Sequence, residues 1–137
     1  MEIEKKNCID DDEIDVIVNG LNSFNVQIAE KDLKPFMIVV KENDEIVGGA
    51  RCESSWNWMH VILLWIDENY RSQGLGRNLI HEIENEAKQR GCVGVYLDTL
   101  EFQALSFYQK LGYRVYGELE DHPKGYKRIY LKKRLDI

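Results

Sequence analysis

Six apolar residues in a row, Val61 to Ile66, run into the stretch "DENYRSQGLGRNL", and a helical pattern begins inside it. Leu75, Leu79, Ile80, Ile83 and Ala87 recur at helical spacing. Glu84–Lys88 and Glu86–Arg90 lie four apart in the order that supports a helix. Gly91 stands where a left-handed C-terminal cap belongs. "VGVYLDT" then reads as a strand again. Strand, helix and strand make a βαβ unit, whose strands are expected to be parallel and joined by a right-handed crossover. The fold class expected from this unit is α/β.

The segments around the unit extend the sheet. "PFMIVVK", "IVGGARCESS" and "WMHVILLWI" read as three strands with short connections, the first of them the turn "ENDE", and so as an antiparallel meander. The third is apolar at every position from Val61 to Ile66, which predicts a central strand covered on both faces. Upstream, "MEIEK" is a candidate short strand, and "DDDEIDVIVNGLNSF" a helix with acids in its first turn, where the helix dipole favours them. Downstream, "FQALSFYQKL" is a second helix with Ala104, Tyr108 and Leu111 on one face, stopped by Gly112. "YRVYGELE" and "YKRIYLKKRL" close the sheet, the last as a solvated or edge strand protected by its lysines. The sum is one domain over residues 1–137. It is a mixed, strongly twisted sheet of about six or seven strands flanked by helices.

Bulk properties exclude several classes of function. No stretch approaches the roughly 20 apolar residues of a membrane helix. The acidic start "MEIEKKNCIDDDE" has no signal-peptide core, so a cytoplasmic location is expected. Cys8, Cys52 and Cys92 are far apart and lack C-x-x-C spacing; His60, His81 and His122 are scattered. Isolated reduced thiols and no metal are expected. Residues 1–60 carry 13 acidic and 6 basic side chains, a balance of −7, and residues 61–137 carry 11 and 12, a balance of +1. The acidic first half speaks against nucleic acid and suits a cationic partner.

A loop from a buried strand to a helix start presents unpaired backbone N–H groups, which together with the helix dipole attract anions. Gly74 and Gly76 have no side chains to hold an anion off. In sheets with parallel strands, ligands sit beyond the carboxyl ends of those strands, where this turn lies. A tight turn that needs glycine only for its backbone angles is an equal alternative on this pattern alone. A P-loop is absent. A dinucleotide fingerprint stays a rival, since Asp98 lies near the ribose-binding position, but it is weakened by Leu79 at its third glycine and more by the antiparallel meander upstream.

"RSQGLG" together with "FQALSFYQKLGY" resembles the GNAT N-acetyltransferases. The "RSQGLG" stretch is similar to that family's [QR]-x-x-G-x-[GA] turn. The "FQALSFYQKLGY" stretch is similar to its A-x-x-x-Y-x-x-x-G-[FY] helix, through Ala104, Tyr108, Gly112 and Tyr113. The likeness covers the chain from about Phe36 onward. It implies the family fold, with acetyl-CoA as co-substrate between two splayed parallel strands. It implies that the backbone of Arg71, Ser72, Gln73, Gly74, Leu75 and Gly76 holds the pyrophosphate. Arg71 and Arg77 would add charge near the phosphates. Ile66 would pair with the pantetheine arm as a strand does, and Tyr108 would face the thioester sulfur.

The implied activity is acetyl transfer to an amine: proximity, a strand N–H near the developing oxyanion, and a phenol beside the leaving thiolate. Glu101 stands where many members carry Asn, so the pantetheine contact of that Asn is not implied. "VILLWI" lacks the strand Glu that some members use as a base; water, Asp98, His122 or Glu53 remain for proton removal. The implied acceptor is a small cationic molecule or an exposed protein amine. Trp56 and Trp58 are open to three roles: acceptor pocket, a contact in a homodimer, or core. The other reading of the whole chain is a catalytically idle acyl-CoA-binding or interaction module.

Overall fold

A computed structural model describes residues 1–137. It divides into two compact units, Met1–Asp32 and Leu33–Ile137. The first unit holds one helix, α1 (Asp11–Asn25). Asp10 caps it, its carboxylate accepting from the Glu13 N–H at 2.9 Å, and Asp11, Asp12 and Glu13 fill the first turn. The acidic run is therefore helix-start chemistry, in keeping with its pattern. "MEIEK" forms no strand: residues 1–10 are exposed and pair with no other strand. Five residues with only two apolar side chains, Met1 and Ile3, offer a sheet little to bury.

The second unit is a six-stranded sheet carrying two helices. Its elements are β1 (Lys34–Glu42), β2 (Glu45–Ser55), β3 (Trp58–Ile66), α2 (Leu75–Gln89), β4 (Gly94–Leu100), α3 (Leu105–Lys110), β5 (Arg114–Leu119) and β6 (Arg128–Arg134). The sheet order is β1-β2-β3-β4-β6-β5, with β3/β4 the parallel pair and all other neighbours antiparallel. Both meander turns place two successive residues at positive φ, Asn43–Asp44 and Trp56–Asn57. That backbone twist matches the twist of the strands it joins.

The core lies on one face of the sheet, under α2. Ile80, Ile83 and Ala87 meet Cys52, Met59, Val61, Val95, Leu97 and Leu131, all buried. Gly91 caps α2 at φ +77, with the Cys92 N–H donating to the Ala87 carbonyl at 2.8 Å. Arg90 ties the helix end to the sheet, donating to the Lys34 carbonyl and to Ser54 Oγ, each at 3.0 Å. None of the three cysteines forms a disulfide. No helix is long and apolar enough to cross a membrane.

The structure departs from the sequence pattern at four further places. β3 is central by pairing but is not covered on both faces, since Leu63 is 63% and Trp65 50% exposed. An apolar run marks a hydrophobic strand and cannot say how many faces find cover. β6 is interior, between β4 and β5, so its basic residues guard no edge. Arg128 pairs with Asp98, Lys133 with Glu84, and Lys132 lies 5.5 Å from the Tyr116 ring centre. Glu84 does not pair with Lys88: it is 8% exposed and faces inward, accepting from the Tyr113 hydroxyl at 2.8 Å and from Lys133 Nζ at 3.1 Å. Glu86–Arg90 does form, at 2.9 Å. Finally, α3 starts at Leu105 and not at Phe102. The Gln103 side-chain oxygen accepts from the Leu100 N–H and from Thr99 Oγ1, at 3.1 and 3.2 Å, and folds residues 101–104 into a turn.

Candidate active site

The site is built where β3 ends. Asp67 accepts from the Asn69 N–H at 2.9 Å and starts a single 3-10 turn, Glu68–Tyr70. Arg71 folds back, its Nε–H donating to the Ile66 carbonyl at 3.0 Å. The loop is thus fastened to the strand it leaves, and the terminal guanidinium nitrogens of Arg71 stay available. Ser72 and Gly74 both have left-handed backbone, at φ +63 and +81.

Gly74 is the N-cap of α2 and has no side chain with which to bond the first-turn N–H groups. That first turn also holds no acid. α1 is the internal contrast, since its opening is closed by an aspartate and three acids. The positive end of α2 is therefore left unneutralised by its own sequence, which suits an external anion. The two glycines serve different ends. Gly74 has open space around a would-be Cβ, so its backbone angle is what requires glycine. At Gly76 a Cβ would lie 3.1 Å from Phe107 Cζ, so glycine there lets α2 approach α3.

A cleft of about 720 Å³ opens at this turn. Ile66, Arg71, Ser72, Gly74, Leu75, Gly76, Arg77 and Tyr108 all line it. Gln73 is the one expected site residue outside its lining. The β3/β4 ladder runs from Trp58↔Gly94 to Val61↔Leu97 and stops, while β3 continues to Ile66 and β4 to Leu100. The cleft includes Leu64, Ile66 and Thr99, on the stretches that have parted. Trp65, Thr99, Gln103 and Phe107 also line it and are not singled out by the sequence. Phe107 does carry a signal, as the neighbour of Tyr108 in a recognisable motif; Trp65 and Thr99 are strand residues whose address depends on the parting of two strands.

Tyr108 lines the cleft and also belongs to the core, at 7% exposure. Its ring packs edge-on against Phe107 at 5.1 Å and Tyr113 at 6.0 Å. Burial first, and the charge of Asp98 second, push its pKa up to about 12. The phenol therefore keeps its proton across the neutral and mildly alkaline range and has a hydrogen to donate there. The cleft is thus lined both by an anion-attracting helix start and by the ring residue Tyr108.

Residues 10–113 match the Acetyltransferase (GNAT) family. The chain belongs to that family. This N-acetyltransferase is 41% identical to a blasticidin-S acetyltransferase of Streptomyces morookaense over 95 residues, 69% of this chain and 70% of the relative. A crystal structure of an acetyltransferase from Bacillus cereus superposes with a TM-score of 0.87 at 36% identity, over 96% of this chain and 98% of that one. An aminoglycoside 6'-N-acetyltransferase complexed with coenzyme A shares the fold, with a TM-score of 0.67 at 19% identity over 73% and 72% of the two chains. The dinucleotide alternative falls with this assignment: Leu79 is a core residue, 3% exposed.

In this GNAT chain the candidates for proton removal are not gathered at the cleft, and none lines it. Asp98 is engaged by Arg128 and lies 3.9 Å from His60 Nε2. Glu53 sits opposite His60 in the β2/β3 register. His122 is in the exposed loop between β5 and β6. Glu101 braces the start of β6, its carboxylate accepting from the Lys127 N–H at 3.0 Å. Trp56 and Trp58 lie outside the cleft; Trp58 covers Gly94, and Trp56 is exposed in a turn. No group of three or more His, Cys, Asp or Glu side chains is placed to hold a metal ion.

Proposed function

We propose that this chain, acting as one domain, transfers the acetyl group of acetyl-CoA to a primary amine of a small cationic molecule. The carrying observation is the α2 start: a left-handed Gly74 cap, no acid in the first turn, and Arg71 and Arg77 beside it. Such a cradle fits a pyrophosphate, and a Cβ at Gly76 would disturb its seat on Phe107. Acetyl-CoA supplies an activated acetyl thioester. The chain supplies the rest: first-turn amides with Arg71 and Arg77 hold the phosphates, and the parted edges of β3 and β4 receive the amide arm. Tyr108 holds a hydrogen-bond donor for the leaving sulfur. The relative named for blasticidin-S favours a small-molecule acceptor over a protein amine.

The direct test is thiol release from acetyl-CoA across a panel of small amines, polyamines and amino sugars, with a peptide amine beside them. Turnover on a small cationic amine is the expected result. CoA binding with no turnover on any amine would favour the idle module.

The acceptor's charge has its own test. With a balance of −7 over residues 1–60, a cationic acceptor is steered by attraction that salt weakens. Its KM should climb as sodium chloride is raised from low to physiological concentration, with kcat little changed. A salt-independent KM, or a preference for anionic amines, would count against this acceptor class.

A further inference from the structure

The helix that carries Tyr108 is too short to place it unaided. α3 has six residues, and a helix of that length has little stability of its own. No protein hydrogen bond fixes the Tyr108 hydroxyl, so the ring is aimed by what packs on it, Phe107 and Tyr113. The backbone closes behind it: the Tyr108 carbonyl accepts from the Leu111 and Tyr113 N–H groups, at 3.1 and 3.0 Å. Tyr113 is thus joined to Tyr108 through main chain and ring at once. It is held in turn from α2 and β6. Its hydroxyl, deeply buried, donates to Glu84 at 2.8 Å. Burial first, and the charge of Glu84 second, push the Tyr113 phenol up, so this donor keeps its proton. Lys133 Nζ lies 3.1 Å from both Glu84 carboxylate oxygens and 5.6 Å from the Tyr113 ring centre. One carboxylate therefore ties α2, the exit of α3 and β6 together.

A largely buried ion pair adds little stability over an apolar filling of the same space. What a fully bonded polar group adds is direction: an apolar ring can slide, whereas a hydroxyl bonded to a fixed carboxylate cannot. We infer that Glu84, Tyr113 and Lys133 are positioning residues for the reaction: the Glu84–Tyr113 bond fixes the Tyr113 ring, which holds Tyr108 aimed into the cleft. The inference rests on the proposed donor role of Tyr108 and names what keeps that donor in place.

Tyr113→Phe keeps the ring and removes only the bond to Glu84. 3-Fluorotyrosine in place of Tyr108 reports the order of that ring by fluorine NMR without any turnover. One sharp resonance is expected in the otherwise wild-type chain, and a broadened or split one in Tyr113→Phe. Glu84→Gln keeps an acceptor for the hydroxyl and should keep the sharp resonance; Glu84→Leu should lose it. Kinetics with acetyl-CoA and the fastest amine of the panel above give the second reading. Tyr113→Phe should lower kcat about 3- to 30-fold, as a small misplacement does, with the amine KM and CoA affinity little changed. In a Tyr108→Phe background the same substitution should cost nothing further, because no donor is left to misplace. A merely structural role predicts additive losses. An unchanged resonance in Tyr113→Phe, or additive effects of the two substitutions, would overturn the inference while leaving the role of Tyr108 intact. Full kcat in Tyr108→Phe would instead overturn the donor reading on which it rests.

Discussion

Gly74→Val leaves the domain folded and weakens CoA binding about 5- to 150-fold. At φ +81 a β-branched residue is forced into a left-handed conformation that costs about 1–3 kcal/mol. The loop will relax by moving its amides, and those amides form the proposed cradle. No atom beyond the adjoining residues lies within 4 Å of the added Cβ, so the effect is one of backbone geometry and not of a clash in the core. Gly76→Val is the less clean variant, because it also pushes on Phe107. Calorimetry gives the affinity, and a thermal melt by circular dichroism shows whether the fold survives. Unchanged CoA affinity in a folded Gly74→Val would remove the turn from the phosphate site, and NADH binding in place of CoA would restore the dinucleotide reading.

Tyr108→Phe should lower kcat on the order of 10- to 100-fold, at the low end of what one acid–base group contributes. The ring and its packing stay; only the hydroxyl goes. A phenol with a pKa near 12 is a far weaker acid than a thiol near 8.5, so in the proposed role it would stabilise the leaving sulfur by hydrogen bonding without handing over its proton fully. Two further results are expected. CoA affinity changes little, and wild-type kcat shows no alkaline decline due to Tyr108 below about pH 10, since the group stays protonated there. A Phe variant with full kcat, measured where a burst experiment has shown chemistry to be the slow step, would take this role away.

The sequence carries local structure well and tertiary address poorly. The two meander turns, the span of β3, the cap at Gly91 and the glycine turn are written in neighbouring residues, and the structure agrees with each. Glu84 shows the limit. Its spacing from Lys88 is that of a surface pair, yet its position on α2, between the buried Ile80 and Ala87, turns it toward Tyr113 and Lys133. Only the packing of β6 beneath α2 reveals that choice. The same holds for Leu63 and Trp65, whose exposure depends on what lies over the sheet, and for β6, whose interior place is a matter of strand order. At the site, Tyr108 is legible through its motif, whereas Trp65 and Thr99 reach the cleft only because β3 and β4 part after Val61↔Leu97.

That parting gives the sheet an unusual economy. β1, β2 and β3 form one three-stranded panel and β4, β6 and β5 another, and the strand-to-strand joint between them is four rungs long. Whatever lies in the open seam and bonds to both lips works as a temporary seventh strand. On the proposed site the donor would be a guest in the architecture as well as a reactant. By mass action, whatever strengthened its hold on both lips would also strengthen the bond between the panels, and its departure would loosen them again.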